Sequence, residues 1–230
     1  MISEAVILAG GFGTRLQTVV KDIPKPMAAV SGKPFLGYIL DFCIAQGIQK
    51  VILAVGYKYE VIQDYFGSNY QGIDIEYAIE NEPLGTGGAI KNALQHCKTL
   101  QVLILNGDSF LEMSLVDMNN LHETSKSKFT LVLKPMKNFE RYGAVEIDKN
   151  DVVVAFKEKE PKNDGLINAG IYIIDKGAFM QLPLPEKFSF ETDFLMPYLE
   201  KWQFKGFVAT GMFIDIGIPE DYEKAQGLFG

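Results

Sequence analysis

The sequence predicts an α/β fold built on a Rossmann-like, mostly parallel mixed sheet flanked by helices. Three observations carry this. The apolar strands are short and continuous rather than alternating, as strands covered on both faces are. Helix-length stretches separate them through the first half. The loops that follow the first, third and fourth strands are glycine-rich or polar, and in an open parallel sheet such loops share one edge, where ligands bind.

The elements run in order. AVILA (5–9) opens the sheet, and PFLGYILDFCIAQ (34–46) is a helix stopped by Gly47. KVILAV (50–55), a helix over 58–66, DIEYAI (74–79), a helix over 87–96 and QVLIL (101–105) continue the alternation. A helix over 114–123 and the strand FTLVLK (129–134) follow. The pattern then becomes strand-rich, with YGAVEI (142–147), VVVAFKE (152–158) and LINAGIYII (166–174). Helices over 190–201 and 219–228 flank a last apolar stretch around 206–216. No repeat, low-complexity segment or linker interrupts the chain, so 1–230 reads as one domain. Its alternating α/β side would be about 1–135 and its strand-rich side about 136–230.

Composition narrows the function. A net charge of −7 argues against a general nucleic-acid or anionic-membrane binder, so any phosphate site must be a local basic pocket. Two cysteines, Cys43 and Cys97, make no disulfide framework and no metal-type spacing. The first apolar run is too short for a signal peptide or membrane span, which points to a cytoplasmic protein.

The stretch AVILAGGFGTRLQTVVKDIPKP joins a buried strand to Gly10, Gly11 and Gly13, then Thr14, Arg15 and a proline-flanked Lys25. Glycines let the backbone turn and approach a ligand closely. Successive N–H groups in such a loop form an anion-binding concavity. Arg15 and Lys25 add positive charge, and the prolines stiffen the backbone around the lysine. Leu16 stands where a dinucleotide fingerprint needs its third glycine, and no Gly-Lys-Ser/Thr is present, so neither an NAD loop nor a P-loop is present.

LAGGFGTRL…PKP, EPLGTGGAI (82–90), LNGDSF (105–110), RYGAVEI (141–147), FKEKEP (156–161), LINAGIYI (166–173) and FIDIGIPEDY (213–222), in this order, resemble the sugar-1-phosphate nucleotidyltransferases. Within that family the chain is most similar to the short guanylyltransferases acting on D-glycero-α-D-manno-heptose 1-phosphate. Mannose-1-phosphate guanylyltransferases and uridylyl- or thymidylyltransferases of other sugar phosphates are the near alternatives, and a non-catalytic nucleotide-sugar sensor is the alternative of another class.

The resemblance implies the nucleotide-diphospho-sugar transferase fold and transfer of a nucleoside monophosphate, GMP expected, from NTP to a sugar 1-phosphate. The attacking phosphate is already an anion, so positioning and charge neutralisation replace a nucleophile–base pair. His96 and His122 then need no role. Arg15, Lys25 and Asp108 would be catalytic, and Leu8, Ala9, Gly10, Gly11, Gly13 and Thr14 would cradle the nucleotide with them. Glu80 or Glu82, with Pro83, Gly85, Thr86 and Gly87, would meet the base, a carboxylate being able to accept from both donors of the guanine edge. Asn106, Gly107, Gly143, Glu158, Lys159, Asn168 and Asp215 would surround the sugar phosphate. Asp108 and Asp215 would hold Mg²⁺, a hard cation that takes one or two carboxylates beside substrate phosphates. The expected partners are GTP or another NTP and a sugar 1-phosphate, with no nucleic acid and no membrane. A homodimer through the second half is left open.

Overall fold

The computed structural model describes residues 1–11, Leu16 and residues 23–229, with Glu158 and Lys159 described through their backbone alone. The first half contains β1 (Glu4–Leu8), a small hairpin of β2 (Ala29–Val30) and β3 (Lys33–Pro34), α1 (Phe35–Ala45), β4 (Lys50–Val55), α2 (Tyr59–Phe66), β5 (Asn69–Tyr70), β6 (Ile73–Ile79), α3 (Gly85–Leu94) and β7 (Gln101–Asn106). The second half adds β8 (Ser109–Leu111), α4 (Leu115–Thr124), β9 (Phe129–Phe139), β10 (Gly143–Ile147), β11 (Val153–Lys159), β12 (Lys162–Asp175), α5 (Lys176–Met180), α6 (Met196–Trp202), β13 (Lys205–Val208), β14 (Phe213–Asp215) and α7 (Pro219–Leu228).

One large sheet runs in the order β11-β10-β12-β7-β1-β4-β6-β5, with β9 paired to β12 and β13 to β9. β7, β1, β4 and β6 are parallel, so their carboxyl ends share one edge. Helices cover both faces, which is why β1, β4 and β7 are apolar between their ends, whereas β6 carries Asp74 and Glu76 among its apolar residues. Ile7, Leu53 and Leu105 pack with Phe35, Leu36, Ile39, Leu40 and Cys43 of α1 on one face. Val6, Ile52 and Ile104 pack with Ile90, Ala93 and Leu94 of α3 on the other. The apolar stripe of α1 thus pays for its own order, each fully buried Leu, Ile or Phe being worth about 1.5–3 kcal/mol.

β12 spans both halves. Its last residues pair antiparallel with β7, and Leu166 and Ile167 pair with β10 beyond the end of β7. The bend between them lies at an irregularity between Asn168 and Tyr172. Gly170 adopts φ 74° there, and a Cβ on it would overlap the Asn106 side chain. The strand-rich half is therefore folded over the loop-bearing edge of the parallel strands.

Boundaries differ from the sequence expectation where local chemistry intervenes. α3 starts two residues early, at Gly85, whose φ of 73° a side chain would strain. β9 continues through Pro135, because its pairing with β13 ends at Leu133 and an edge tolerates a residue without an N–H. The helix expected over 190–201 is a π-turn, Phe190–Leu195, followed by α6. The apolar stretch around 206–216 is two strands, β13 and β14.

α7 returns to the beginning of the chain. Gln226 accepts from the Ser31 backbone N–H through Oε1 at 2.9 Å and from the Ser31 hydroxyl through its carbonyl at 2.7 Å. Tyr222 donates to the Ala29 carbonyl at 2.6 Å, and Phe229 packs against Phe35 and Tyr38. Among the described residues no helix is long and apolar enough to cross a membrane.

Candidate active site

A cleft of about 530 Å³ opens at the carboxyl edge of β1, β4, β6 and β7. Its lining includes Leu8, Gly10, Gly11, Lys25, Glu80, Pro83, Gly85, Thr86, Asn106 and Asp108, all expected from sequence. Close approach explains the first glycine. A Cβ on Gly10 would lie 3.2 Å from the Gly56 nitrogen and 3.4 Å from Glu80 Oε1. Ala9 is buried behind the lining, tied to β4 by its N–H donating to the Ala54 carbonyl at 2.8 Å. Gly107 lies behind it as well, donating to the Leu8 carbonyl at 2.9 Å, and a Cβ there would sit 2.5 Å from that oxygen. Gly13, Thr14 and Arg15 lie outside the described residues.

Lys25 begins a single 3-10 turn, Lys25–Met27, with Pro24 before it and Pro26 within it. The turn closes through Met27 N–H to the Pro24 carbonyl at 2.8 Å, so the lysine stem leaves a fixed backbone. Its ammonium meets Asp108 Oδ2 at 2.5 Å. Asp108 precedes β8, and Asp215 ends β14, which pairs with β8 in antiparallel register. Ile216 N–H donates to the Asp108 carbonyl at 2.9 Å and fixes the two carboxylate-bearing turns together. Asp215 accepts from Gly217 N–H at 2.6 Å and from the Tyr142 hydroxyl at 3.3 Å. A Cβ on Gly217 would lie 2.7 Å from Asp215 Oδ1 and 3.3 Å from Lys25 Nζ, so one ammonium and two carboxylates converge.

Burial pushes the Asp215 carboxyl above its ordinary range, and the nearby charge of Asp108 pushes the same way, with Lys25, Gly217 and Tyr142 opposing. Two hard-oxygen donors that repel one another beside the cleft fit a divalent cation, which would relieve that repulsion. Among the described residues no group of three or more potential metal ligands exists, so substrate oxygens would complete such a site.

The two candidate glutamates separate. Glu80 follows β6, half-buried in the cleft, with Oε2 accepting from Leu84 N–H at 3.0 Å. Burial raises its pKa, and the Leu84 N–H partly offsets that. Glu82 is exposed and outside the lining. Gly87 is buried outside the lining, with the Phe188 ring where its Cβ would stand.

On the second-half side, Gly143 pairs with Lys159 at a β-bulge, and a Cβ there would lie 2.6 Å from the Lys157 carbonyl. Asn168 spends its amide on the bend of β12, accepting from Gly170 N–H at 3.0 Å and donating to the Tyr172 hydroxyl at 2.9 Å. A second cleft of about 670 Å³ is lined by Tyr142, Arg141 and Asp215 among others. The side chains of Glu158 and Lys159 lie outside the described residues.

Gly56, Tyr57 and Asn81 in the cleft, and Tyr142 on Asp215, were not expected. For Gly56 and Tyr57 the signal was present, since VGYKY follows the second parallel strand as the other site loops follow theirs. The histidines lie elsewhere. His96 sits in the turn after α3, its Nδ1 2.5 Å from Glu76 Oε1, and His122 is buried in α4 against the Thr130 hydroxyl at 2.8 Å.

Comparison with known proteins follows the same lines. A family model described as nucleotidyl transferase matches residues 4–228. The chain is 52% identical over 223 residues to a D-glycero-alpha-D-manno-heptose 1-phosphate guanylyltransferase of Aneurinibacillus thermoaerophilus, covering 97% of this chain and 96% of the relative. It is 50% identical to one of the same name from Campylobacter jejuni subsp. jejuni, covering 95% and 96% respectively. The crystal structure of HddC from Yersinia pseudotuberculosis complexed with GMP-PN superposes with a TM-score of 0.86 at 41% identity, over 100% of both chains.

Proposed function

We propose, from the premise that this chain belongs to the nucleotidyl transferase family, that it transfers the guanylyl group of GTP to D-glycero-α-D-manno-heptose 1-phosphate, giving GDP-heptose and pyrophosphate. The chain has the nucleotide-diphospho-sugar transferase fold. The observation that carries the reading is the convergence of Lys25, Asp108 and Asp215 at the mouth of a cleft walled by Gly10, Gly11, Glu80 and the Pro83–Thr86 loop.

The heptose phosphate oxygen attacks the α-phosphorus of GTP as pyrophosphate leaves on the opposite side. Both reactants are anions, so holding them in line and neutralising the charge that builds on the α-phosphate do most of the work. Lys25 supplies that charge from a rigid turn, and Arg15, Gly13 and Thr14 would grip the outer phosphates. No side chain has to remove a proton from the nucleophile. The Gly10–Gly11 backbone, which lines the cleft, would lie against the nucleotide, and the missing Cβ at Gly10 lets that strand end pack close to Gly56 and Glu80.

Glu80 is the base reader in this scheme. Its half-buried carboxylate lacks the donors that bulk water would give it, and the guanine N1–H and N2–H₂ edge supplies two. A uracil edge offers one donor beside two carbonyls, which leaves the carboxylate facing acceptors. On the sugar side, Gly143, Glu158, Lys159 and Asn168 would border the heptose. Asp108 and Asp215 would hold a divalent cation, Mg²⁺ in our reading, which when bound shields phosphate charge. Substrates of this kind place the enzyme in the cytoplasm, upstream of bacterial surface polysaccharide.

The test is pyrophosphate release with Mg²⁺ over GTP, UTP, dTTP, CTP and ATP, each paired with heptose, mannose, glucose and N-acetylmuramate 1-phosphates. Release with GTP and the heptose above all other pairs is the expected result. Preference for another pair overturns the substrate assignment, and silence in every pair from folded protein overturns nucleotidyl transfer.

A further inference from the structure

The wall that meets the base is held from outside the cleft by a segment of the other half of the chain. Phe188 N–H donates to the Leu84 carbonyl at 3.0 Å, and Gly87 N–H donates to the Phe188 carbonyl at 3.1 Å. Phe190 N–H donates to the Thr86 hydroxyl at 3.0 Å, and the Lys91 ammonium donates to the Leu184 carbonyl at 2.7 Å. The glycines of the loop make room for this segment. A Cβ on Gly85 would lie 2.6 Å from the Phe188 carbonyl oxygen, and one on Gly87 would overlap the Phe188 ring. One on Gly88 would meet the Glu186 carbonyl. The side-chain positions of three of the loop's glycines thus point at Leu184–Phe190, although the Gly85 backbone also lines the cleft.

The residue after Pro83 is gripped on both sides. Its N–H is taken by Glu80 Oε2 from within the cleft, and its carbonyl by Phe188 from outside. Phe188 is 4% exposed, packed in the apolar layer that includes Phe129, Phe190 and Phe194, so it cannot swing away without opening that layer. Removing the ring would free the α3 N-terminus to shift toward the vacated volume, changing the distance between Glu80 and the Pro83–Thr86 wall. The phosphate contacts at Lys25 stand on a different turn and would not move with it.

We infer that Phe188 is a positioning residue for base recognition, setting the spacing between Glu80 and the loop that closes on the base; this rests on the guanylyl-transfer reading. The ring and its two backbone hydrogen bonds act as a bracket, and nucleotide affinity and base choice depend on it more than turnover does.

The experiment compares Phe188→Ala, Phe188→Leu and Gly87→Ala with Phe179→Leu. Phe179 packs against Phe190 and Phe194 in the same layer, and the loop's hydrogen bonds and glycine contacts described above are made by other residues. Phe188→Ala should raise KM for GTP about tenfold and narrow the GTP-over-UTP preference, with kcat and KM for the sugar phosphate within about threefold, because sub-ångström misplacement is felt at the group it positions. Phe188→Leu should recover most of the affinity, and it keeps the test open if the alanine variant does not fold. Gly87→Ala should weaken GTP alone, and adding Phe188→Leu should restore part of it by withdrawing the overlapping ring. Phe179→Leu should lower the melting temperature and leave KM for GTP unchanged. Equal rises in both KM values, or none for GTP, overturn the bracket. A wild-type chain that turns over nothing overturns the functional reading alone. The bracket is then decided by amide exchange at Gly87, which should quicken about tenfold in Phe188→Leu if it holds and stay as in the wild type if it does not.

Discussion

At the scale of single residues, the site is a small set of charges whose positions are over-determined. Lys25 stands on a proline-bounded turn and reaches Asp108 at 2.5 Å, so Lys25→Ala should lower kcat by roughly 10²–10³-fold, the usual cost of losing one preorganised charge at a reacting centre, with circular dichroism unchanged. Pyrophosphate release checks it. Glu80 makes a pH prediction with a definite sign. Burial holds its pKa above the ordinary 4.5, and in the proposed scheme it is the carboxylate that accepts both guanine donors, so KM for GTP should climb on acidification while pH is still above 4.5. Glu80→Gln should flatten that limb and reduce the preference for GTP over UTP, read from KM against pH for both nucleotides. At this scale much was legible. The glycines, Lys25 and the aspartates bear chemistry that composition alone makes conspicuous. The choice between Glu80 and Glu82 was not, because both follow the same strand and only burial separates them. Tyr142 was missed since a tyrosine before Gly143 reads as a strand residue until β14 brings Asp215 beneath its hydroxyl.

At the scale of elements, glycine does different work in two loops that look alike in sequence. Gly10 and Gly11 line the cleft, and a Cβ on Gly11 would stand in open space, whereas the missing side chains of Gly85, Gly87 and Gly88 let α3 dock on Leu184–Phe190. Gly88→Ala should therefore destabilise the fold by about 1–3 kcal/mol, as overpacking does, measured by urea denaturation. Sequence analysis reads GTGG as part of a base-binding loop. It misses the docking role, because the partner segment lies about a hundred residues away. The continuously apolar strands β1, β4 and β7 were legible because each is buried on both faces. The short β2, β3, β5, β8 and β14 were not, since two or three residues carry no period. β9 ran on past Pro135 because its outer edge is unpaired there, a fact of topology and not of propensity.

At the scale of the whole molecule, the two edges of the parallel sheet have different jobs. The carboxyl edge carries the cleft, and the opposite edge carries a polar cluster that closes the strand starts. Glu4 Oε2, 5% exposed as a residue, accepts from Lys98 N–H and Thr99 N–H at 2.7 Å each and from the Thr99 hydroxyl at 2.8 Å. Burial would raise the Glu4 pKa, but these donors and Lys50 hold it below the ordinary value. Lys50 and His96 hold Glu76 low as well, through direct hydrogen bonds. A carboxyl whose folded pKa is depressed contributes stability above its unfolded pKa, near 4.5, and loses it as pH falls through the folded value. The melting temperature should accordingly drop steeply below about pH 4.5, and Glu4→Gln should flatten that drop while costing about 1–3 kcal/mol at neutral pH. KM values near pH 7 should stay those of the wild type, because this cluster lies at the far edge of the sheet from the cleft.

The grip of α7 on the hairpin after Lys25 has a consequence for the order of events at the ribosome. Ala29 and Ser31 are tied by Tyr222 and Gln226, and Asp215 joins Asp108 only when β14 pairs with β8. Lys25 pairs with Asp108, 83 positions on, and the hairpin that follows it is held by residues some two hundred positions later in the chain. A growing chain can lay down β1, β4 and β6 as it emerges, but its catalytic corner stays unassembled until residues 213–226 have been added. Nascent protein released early would have a sheet without a working corner, so premature termination should yield silent fragments and not partly active ones.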